Sequence, residues 1–159
     1  MFKVLVISYY FPPMGLSGVQ RVLKFTKYMS DYNWEPTVIT AGKTGYYAHD
    51  KSLLEEAENA NIKIVRTDAF DPNSLLAKYG TISMPREFVR KILGKISKFI
   101  FIPDNKKSWA KKAYTEGKKI LSNEQFDVIF VSVPPFSQFS VAAKLKREFN
   151  LPLIADYRD

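Results

Sequence analysis

Three separate segments of the sequence carry residues that could contribute to a ligand-binding site. The first is a turn-rich loop at residues 9–18, followed by an arginine; the second ends a strand with paired prolines; the third is an arginine with an aspartate at residues 158–159. Backbone N–H groups that open a helix, together with a guanidinium group, are groups that bind phosphate. The candidate site residues are Gly15, Ser17, Gly18, Arg21, Ser132, Pro134, Pro135, Arg158 and Asp159.

The glycine-containing loop lies between a short apolar run and a segment with helical spacing. Pro12 and Pro13 prevent regular structure in the loop, and Ser17 stands where its hydroxyl could cap the first free amides of the next helix. Residues 15–18 (Gly-Leu-Ser-Gly) lack the three-glycine spacing of dinucleotide-binding loops, and no Gly-Lys-Ser/Thr follows them. The loop is therefore either a phosphate-binding turn of another kind or a plain strand-to-helix connection.

The elements that must position these groups alternate along the chain. The sequence predicts strands at residues 4–8, 35–40, 62–66, 126–132 and 153–159, and helices at residues 19–29, 52–59, 85–103, 104–121 and 136–149. This alternation predicts an α/β fold, a doubly wound (Rossmann-like) parallel sheet. The expected buried side of the first helix is formed by Val19, Leu23, Phe25, Tyr28 and Met29. On such a sheet, ligands bind beyond the carboxyl ends of the strands.

The composition excludes several classes of protein. With 159 residues, 46% hydrophobic and 25% charged, residues 1–159 are expected to form a single globular domain. There is no cysteine, which excludes disulfides and thiolate chemistry. No secretory leader and no apolar run of about 20 residues is visible, so we expect a cytoplasmic location, either free or peripheral at the inner face of the membrane. The lone His49 is expected to be solvated, and Asp156 with Asp159 is an isolated carboxylate pair. We therefore assign no general base and expect no metal.

The positive charge of the chain is concentrated in one region. The formal net charge is +8, whereas the stretch from Lys78 to Lys119 alone holds twelve basic and three acidic residues, a net +9. Within it, residues 85–103 have the pattern of an amphipathic helix, with the basic arc formed by Arg86, Arg90, Lys91, Lys95 and Lys98. The segment is either an ordinary surface helix packed on the sheet or a helix lying at an anionic membrane surface. No nucleic-acid motif is present, so we expect no nucleic-acid partner.

Several of these segments also carry a family resemblance. The first loop resembles the opening of the N-terminal domain of the two-domain (GT-B fold) glycosyltransferases, specifically the large retaining group often called family four, in residues 9–15 (YYFPPMG) and 18–21 (GVQR). Pro103-Asp104 followed by Trp109 is similar to the pattern that leads into the last strands of that domain. Residues 132–137 (SVPPFS) and 156–159 (DYRD) resemble the family's segments near the cleft between its two domains.

The resemblance implies a function and a role for each candidate. It implies the N-terminal, acceptor-side half of a GT-B glycosyltransferase that moves a sugar from a nucleotide-sugar donor to a polysaccharide or lipid-linked acceptor. A second domain, absent from this chain, would bind most of the donor, so the chain alone is not expected to be active. The nucleotide sugar is a substrate, and no cofactor is implied.

The family's roles transfer to matching positions only. Gly15, Ser17 and Gly18 would approach the donor phosphate, and Arg21 would add positive charge. The floor of the acceptor pocket would be formed by Ser132, Pro134 and Pro135. The cleft would be bordered by Arg158 and Asp159. The sequence departs from the family in two places. Many relatives carry Gly-Gly where this chain has Ser17 and Gly18. Many also carry a histidine, either near the end of the strand that here finishes at Ser132 or at the position of Phe136.

Two other classes of function were weighed against this one. The first is a basic α/β binding module for an anionic membrane surface, without transferase activity. The second is a nucleotide-binding reductase. It is disfavoured because Thr40, Ala41 and Gly42 occupy the place at the end of the second strand where an acidic ribose contact would stand.

Overall fold

The centre of the molecule is a five-stranded, all-parallel sheet. The structure is a computed structural model and describes residues 1–42, 46, 48–68 and 104–158. The strands lie in the order β3-β2-β1-β4-β5. Their bounds are Phe2–Ile7 (β1), Trp34–Ala41 (β2), Lys63–Thr67 (β3), Val128–Val133 (β4) and Leu153–Tyr157 (β5).

Four helices of the described residues connect and cover the strands. They are α1 (Ser17–Met29), α2 (Lys51–Asn59), α3 (Lys107–Asn123) and α4 (Phe136–Phe149). Helix α1 packs on α2, and α3 packs on α4. The chain leaves β1 and β4 in opposite directions along the sheet, so right-handed crossovers place the two helix pairs on opposite faces. The prediction of a doubly wound parallel α/β sheet is confirmed.

The two central strands form the core because helices cover them on both sides. Every residue from Val4 to Ile7 is buried, as is every residue of β4. The register places Val6 between Val38 on β2 and Phe130 on β4. Strands buried on both faces need continuous apolar runs rather than alternating ones, which is why these two were recognisable from sequence.

The buried face of α1 differs from the predicted one. Val19 and Leu23 are buried as expected, but Phe25 and Tyr28 are 40% and 51% exposed. Thr26 takes a core position instead, because its Oγ1 donates to the carbonyl oxygens of Val22 (3.0 Å) and Leu23 (2.9 Å). A hydroxyl whose hydrogen bond is made within its own helix can be buried at little cost, and composition alone does not reveal this.

Several predicted boundaries were wrong by a few residues. The helix predicted at 104–121 begins at Lys107, since the Asp104 carboxylate accepts the N–H of Lys106 (2.8 Å) in a turn before it. The strand predicted at 153–159 ends at Tyr157. The helix predicted at 85–103 lies outside the described residues. Within the described ranges, no helix has the length and apolar content needed to cross a bilayer.

Candidate functional site

The candidate site lies where the direction of the sheet reverses. From β1 the chain passes through α1 to β2, and from β4 it passes through α4 to β5 on the other side. The connections that follow β1 and β4 therefore diverge and open a crevice at the carboxyl edge, where open α/β sheets bind ligands. The end of β5 reaches the same edge, because Ser132 and Val133 lie in register with Asp156 and Tyr157.

Arg158 joins the first helix to the double-proline segment. Its backbone N–H donates to the carbonyl oxygen of Val133 (2.9 Å), and its Nη2 donates to that of Pro134 (2.9 Å). Its Nη1 lies so close to Gly18 that a Cβ at this position would clash with it. The absence of a side chain at Gly18 is what lets the guanidinium group reach the amino end of α1.

The same guanidinium group keeps unused hydrogen-bonding capacity. Nε of Arg158 is buried and has no hydrogen-bond partner in the part of the chain that the structure describes. The first hydrogen bonds of α1 run from the N–H groups of Val19 (3.2 Å) and Gln20 (3.3 Å) to the carbonyl oxygen of Leu16. The N–H groups of Ser17 and Gly18 therefore have no acceptor inside the helix. This end of the crevice presents several donors and a positive charge to an anion.

The predicted cap of α1 was wrong. Ser17 is the first residue of the helix, and the position before it is filled by Leu16, with φ 73° and ψ 162° and no side-chain cap. That backbone region is normally restricted to glycine. A serine inside the first turn no longer has the extended backbone that lets a capping hydroxyl reach the following amides.

Gly15 is held in place by a short strand-like pairing with the segment before α2. Its N–H donates to the carbonyl oxygen of Ala48 (2.8 Å), and the N–H of Asp50 donates to that of Pro13 (2.8 Å). Between these bonds, Met14 and His49 form an antiparallel bridge. The Gly15 amide is therefore already engaged, and the role inferred for Gly15 in approaching a phosphate stays a prediction. His49 is exposed, in keeping with the expectation that it is solvated.

Arg21 is paired with a carboxylate rather than free. Its Nη2 and Nε donate to the two oxygens of Asp156, at 2.7 and 3.1 Å. The buried hydroxyl of Ser132 donates to the same carboxylate (2.9 Å). The hydrogen bond from Arg21 is the main cause that lowers the pKa of Asp156 below its usual range. The hydrogen bond from Ser132 and the positive charges of Arg21 and Arg158 lower this pKa further, whereas burial raises it. The network ties α1, β4 and β5 together beneath the crevice.

The paired prolines have different surroundings. Pro135 is buried and precedes α4 in an extended conformation, whereas Pro134 is exposed and its carbonyl accepts Arg158. Phe136, the first residue of α4, is 49% exposed. The prolines take the chain off the sheet at its ligand-facing edge, as their sequence predicted.

Sequence reasoning missed two polar side chains that hold the crevice together. Gln138, 1% exposed, accepts the N–H of Tyr9 at its Oε1 (2.7 Å) and donates from Nε2 to the carbonyl oxygen of Ser132. Asp104 accepts the N–H of Ser137 (2.7 Å) and so caps α4 from a distant part of the chain. A polar residue in the first turn after a double proline was the only available signal, and it does not specify a partner.

An aromatic and cationic layer backs the loop that follows β1. The Tyr9 ring is buried and packs edge-on against Trp109, with ring centroids 5.2 Å apart. The ammonium group of Lys106, a residue only 4% exposed, lies 4.5 Å from the centre of the Tyr9 ring. On the other side, Arg66 donates to the carbonyl oxygens of Pro12 (2.6 Å) and Ala41 (3.4 Å). The loop is thus fixed from both flanks.

The structure brings seven of the nine candidates to one edge in a connected set and leaves two aside. The connected residues are Ser17, Gly18, Arg21, Ser132, Pro134, Pro135 and Arg158. Gly15 lies nearby in the loop, and Asp159 lies outside the described residues. The five basic candidates at residues 86–98 are also outside the described ranges: Arg86, Arg90, Lys91, Lys95 and Lys98.

Comparison with known proteins defines the class of fold. No protein-family model and no curated protein matches the sequence. Among solved structures, the chain is similar to the C-terminal domain of a hydrogenase from Pyrococcus furiosus, at 15% identity and TM-score 0.57 over 98% of this chain and 90% of that one. A second structure of that domain gives 17% identity and TM-score 0.59 over 97% and 90%. These likenesses establish an α/β domain of Rossmann type.

A third solved structure belongs to a sugar-transferring enzyme. The chain is similar to the glycosyltransferase of kitacinnamycin, with 11% identity and TM-score 0.52 over 98% of its length. It spans only 30% of that protein's chain. Likeness at this identity describes the fold and leaves function to be argued from the site.

Proposed function

We propose that this chain is the N-terminal, acceptor-side domain of a GT-B glycosyltransferase, which transfers a sugar from a nucleotide-sugar donor to a polysaccharide or lipid-linked acceptor. The observation that carries the proposal is the contact of Arg158 with both Gly18 and Pro134. It joins, at one edge, three segments that each resemble this family. The similarity to one glycosyltransferase structure supports the same class.

Sugar transfer from a nucleotide requires stabilisation of the departing phosphate oxygens and orientation of the acceptor hydroxyl. Arg158 and the N–H groups of Ser17 and Gly18, which have no acceptor inside α1, supply donors and positive charge on one side of the crevice. The charge of Arg21 is largely compensated by Asp156, so Arg158 is the group we assign to the phosphate. Pro134 and Pro135 would line the acceptor side, with the buried Ser132 supporting them from below.

The similarity to a hydrogenase domain suggests a different chemistry. Iron–sulfur clusters are held by cysteine thiolates, and these 159 residues contain no cysteine. The residues that converge at the crevice are instead donors to anionic oxygen. We therefore favour phosphate-linked sugar transfer over a redox role for this domain.

The test is turnover of nucleotide sugars by the full gene product that contains these residues. Incubation with a panel of nucleotide sugars and acceptors is expected to release nucleoside diphosphate. Arg158→Ala is expected to lower kcat/KM by about 100-fold, the usual cost of removing one preorganised donor to a developing negative charge. Arg147→Ala, which removes an exposed arginine from α4, is the matched control and should leave turnover unchanged.

A second variant separates this role of Arg158 from general damage. Gly18→Ala adds only a methyl group, which improves helix propensity by about 1 kcal/mol but displaces the guanidinium group. We expect a protein of at least equal stability with lower turnover. Release of no nucleoside diphosphate from any donor, or full activity of Arg158→Ala, would contradict the proposal.

A further inference from the structure

A groove between the first turns of α3 and α4 has the composition of a binding site separate from the crevice. Its volume is about 470 Å³, within the range of small-molecule sites. Its floor includes Ala110 and Val141, with Tyr114 at one side. Three lysines line it, Lys107, Lys111 and Lys144, and no acidic residue does.

No described carboxylate neutralises the charge of these three lysines. None of them forms an ion pair with another described residue, whereas Lys118, about two turns beyond Lys111 on α3, pairs with Glu148 at 2.6 Å. Glu148 also accepts the Tyr114 hydroxyl (2.5 Å), so each of its two oxygens has a partner. Three ammonium groups around one concave surface repel one another, and an anion between them would remove that repulsion.

Ser137 provides an independent indication of a ligand. It is 3% exposed and lines the groove, and its Oγ has no hydrogen-bond partner among the described residues. Its N–H is already taken by Asp104 (2.7 Å), so the hydroxyl is the donor that remains. A buried hydroxyl without a partner is unfavourable in the unliganded protein, and a ligand oxygen in the groove would satisfy it.

We propose that this groove binds a lipid phosphate, with the phosphate group between the three lysines and the Ser137 hydroxyl and the apolar tail on Ala110 and Val141. A phosphate offers several strong acceptor oxygens to such a set, and lysine binds it as a point charge. The apolar floor favours a ligand with a hydrocarbon portion over a free inorganic anion. This inference does not depend on the transferase proposal, because it involves neither Arg158 nor Gly18.

The experiment is a titration of the purified protein with octyl phosphate below its micelle concentration, followed by amide chemical shifts. Saturable shifts are expected at residues 107–115 and 137–144. Octyl glucoside, with the same tail and no charge, and inorganic phosphate, with the charge and no tail, are each expected to bind at least about tenfold more weakly. Equal binding of inorganic phosphate would overturn the lipid form of the proposal.

Charge-reversal variants distinguish a specific phosphate site from nonspecific attraction of the anion to a basic protein. Lys111→Glu with Lys144→Glu should weaken octyl phosphate binding by at least about tenfold, since each charge-assisted contact is worth 1.5 kcal/mol or more. Lys112→Glu with Lys146→Glu changes the net charge equally on the same two helices, at exposed positions outside the groove. This control should bind normally, and equal weakening by both pairs would overturn the site.

Ser137→Ala tests the hydroxyl without a folding penalty. Because Oγ has no partner, its removal loses no hydrogen bond, and Tm should not fall. Binding of octyl phosphate should weaken by about tenfold or more, the value of one hydrogen bond to a charged acceptor. Unchanged affinity in Ser137→Ala would exclude the hydroxyl from the site and overturn the proposed geometry.

Discussion

Leu16 and Asp156 are the two residues whose conformation and charge state bear most directly on the crevice. Leu16 precedes α1 with a positive φ of 73°, and its side chain is 46% exposed. Non-glycine residues in this region carry strain that persists only where the surrounding structure imposes it. Here the loop on one side is fixed by pairing with the segment before α2, and the helix on the other side must present its free N–H groups to the crevice.

Leu16→Gly is expected to be more stable than Leu16→Ala, by about 1 kcal/mol. Both variants lose the same exposed side chain, but only glycine relieves the backbone strain of about 1–3 kcal/mol, and this outweighs its entropic cost of about 0.5–1 kcal/mol. Urea unfolding measures the difference. At Gln20, an exposed position inside α1, the order should reverse, with glycine less stable than alanine. If Leu16→Gly were less stable than Leu16→Ala, the interpretation of backbone strain at this position would be contradicted.

Asp156 is expected to make stability depend on pH in the acid range. The hydrogen bond from Arg21 is the main cause of the lowered pKa, and Ser132 adds to it. A carboxyl with a lowered folded pKa stabilises the protein above its ordinary pKa of about 3.9 and loses that contribution as pH falls below it. The free energy of unfolding of the native protein should therefore exceed that of Asp156→Asn near neutral pH, and this difference should begin to shrink as the pH falls below about 4.

Arg21, which pairs with Asp156, provides the control for this pH effect. Arg21→Gln removes the group that holds Asp156 charged, so the pH-dependent gap should shrink in that variant as well. Urea unfolding at several pH values between 3 and 7 measures both variants. A gap that stays constant across this range would show that the carboxylate is not stabilised by its network.

At the scale of the elements, α4 organises the carboxyl edge. Its first turn carries Gln138, which connects the loop after β1 to the end of β4. Its amino end is capped by Asp104, a residue that precedes α3. One helix therefore sets the spacing between the two sides of the crevice, because each side hydrogen-bonds to it.

Gln138→Ala is expected to destabilise the protein by about 3 kcal/mol. The change removes the hydrogen bonds of Gln138 to the Tyr9 N–H and to the Ser132 carbonyl, and losing one partner of a buried hydrogen bond costs about 1–3 kcal/mol. Urea unfolding gives the loss, and amide hydrogen exchange at Tyr9 should accelerate in parallel. Gln125→Ala, at an exposed position before β4, should change stability by less than about 0.5 kcal/mol. A neutral Gln138→Ala would show that this bridge does not hold the edge together.

At the scale of the whole molecule, the sheet topology and the distribution of charge define two different regions. The reversal of strand order between β1 and β4 creates the crevice, while the net charge of +8 is concentrated between Lys78 and Lys119. The part of this region that the structure describes includes α3, of which Lys107 and Lys111 line the groove. The remainder carries the five basic residues predicted to meet an anionic surface.

Vesicle sedimentation tests that prediction. The protein should pellet with vesicles containing anionic lipid at low salt and be released as salt rises, because surface charges are screened. Reversing Arg90, Lys91 and Lys95 to glutamate should weaken binding more than tenfold, since each basic residue contributes about 1 kcal/mol near such a surface. Equal pelleting with neutral vesicles, or with neither kind, would favour an ordinary packed helix.

The sequence by itself determined the layers of the fold. The apolar runs of β1 and β4 predicted buried parallel strands because a strand covered on both faces admits few polar side chains. Helix α4 was predicted with its observed bounds of Phe136 and Phe149, since the paired prolines before it end the preceding strand. These are local signals, each contained within one segment.

Only the tertiary structure decided which groups meet. The approach of Arg158 to Gly18, the pairing of Arg21 with Asp156 and the bridge from Gln138 to Tyr9 all join residues more than 100 positions apart. Such contacts depend on strand order and on the exit angles of loops, which a local pattern does not encode. The sequence therefore predicted the edge at which a site would lie, and folding determined which donors remain available there.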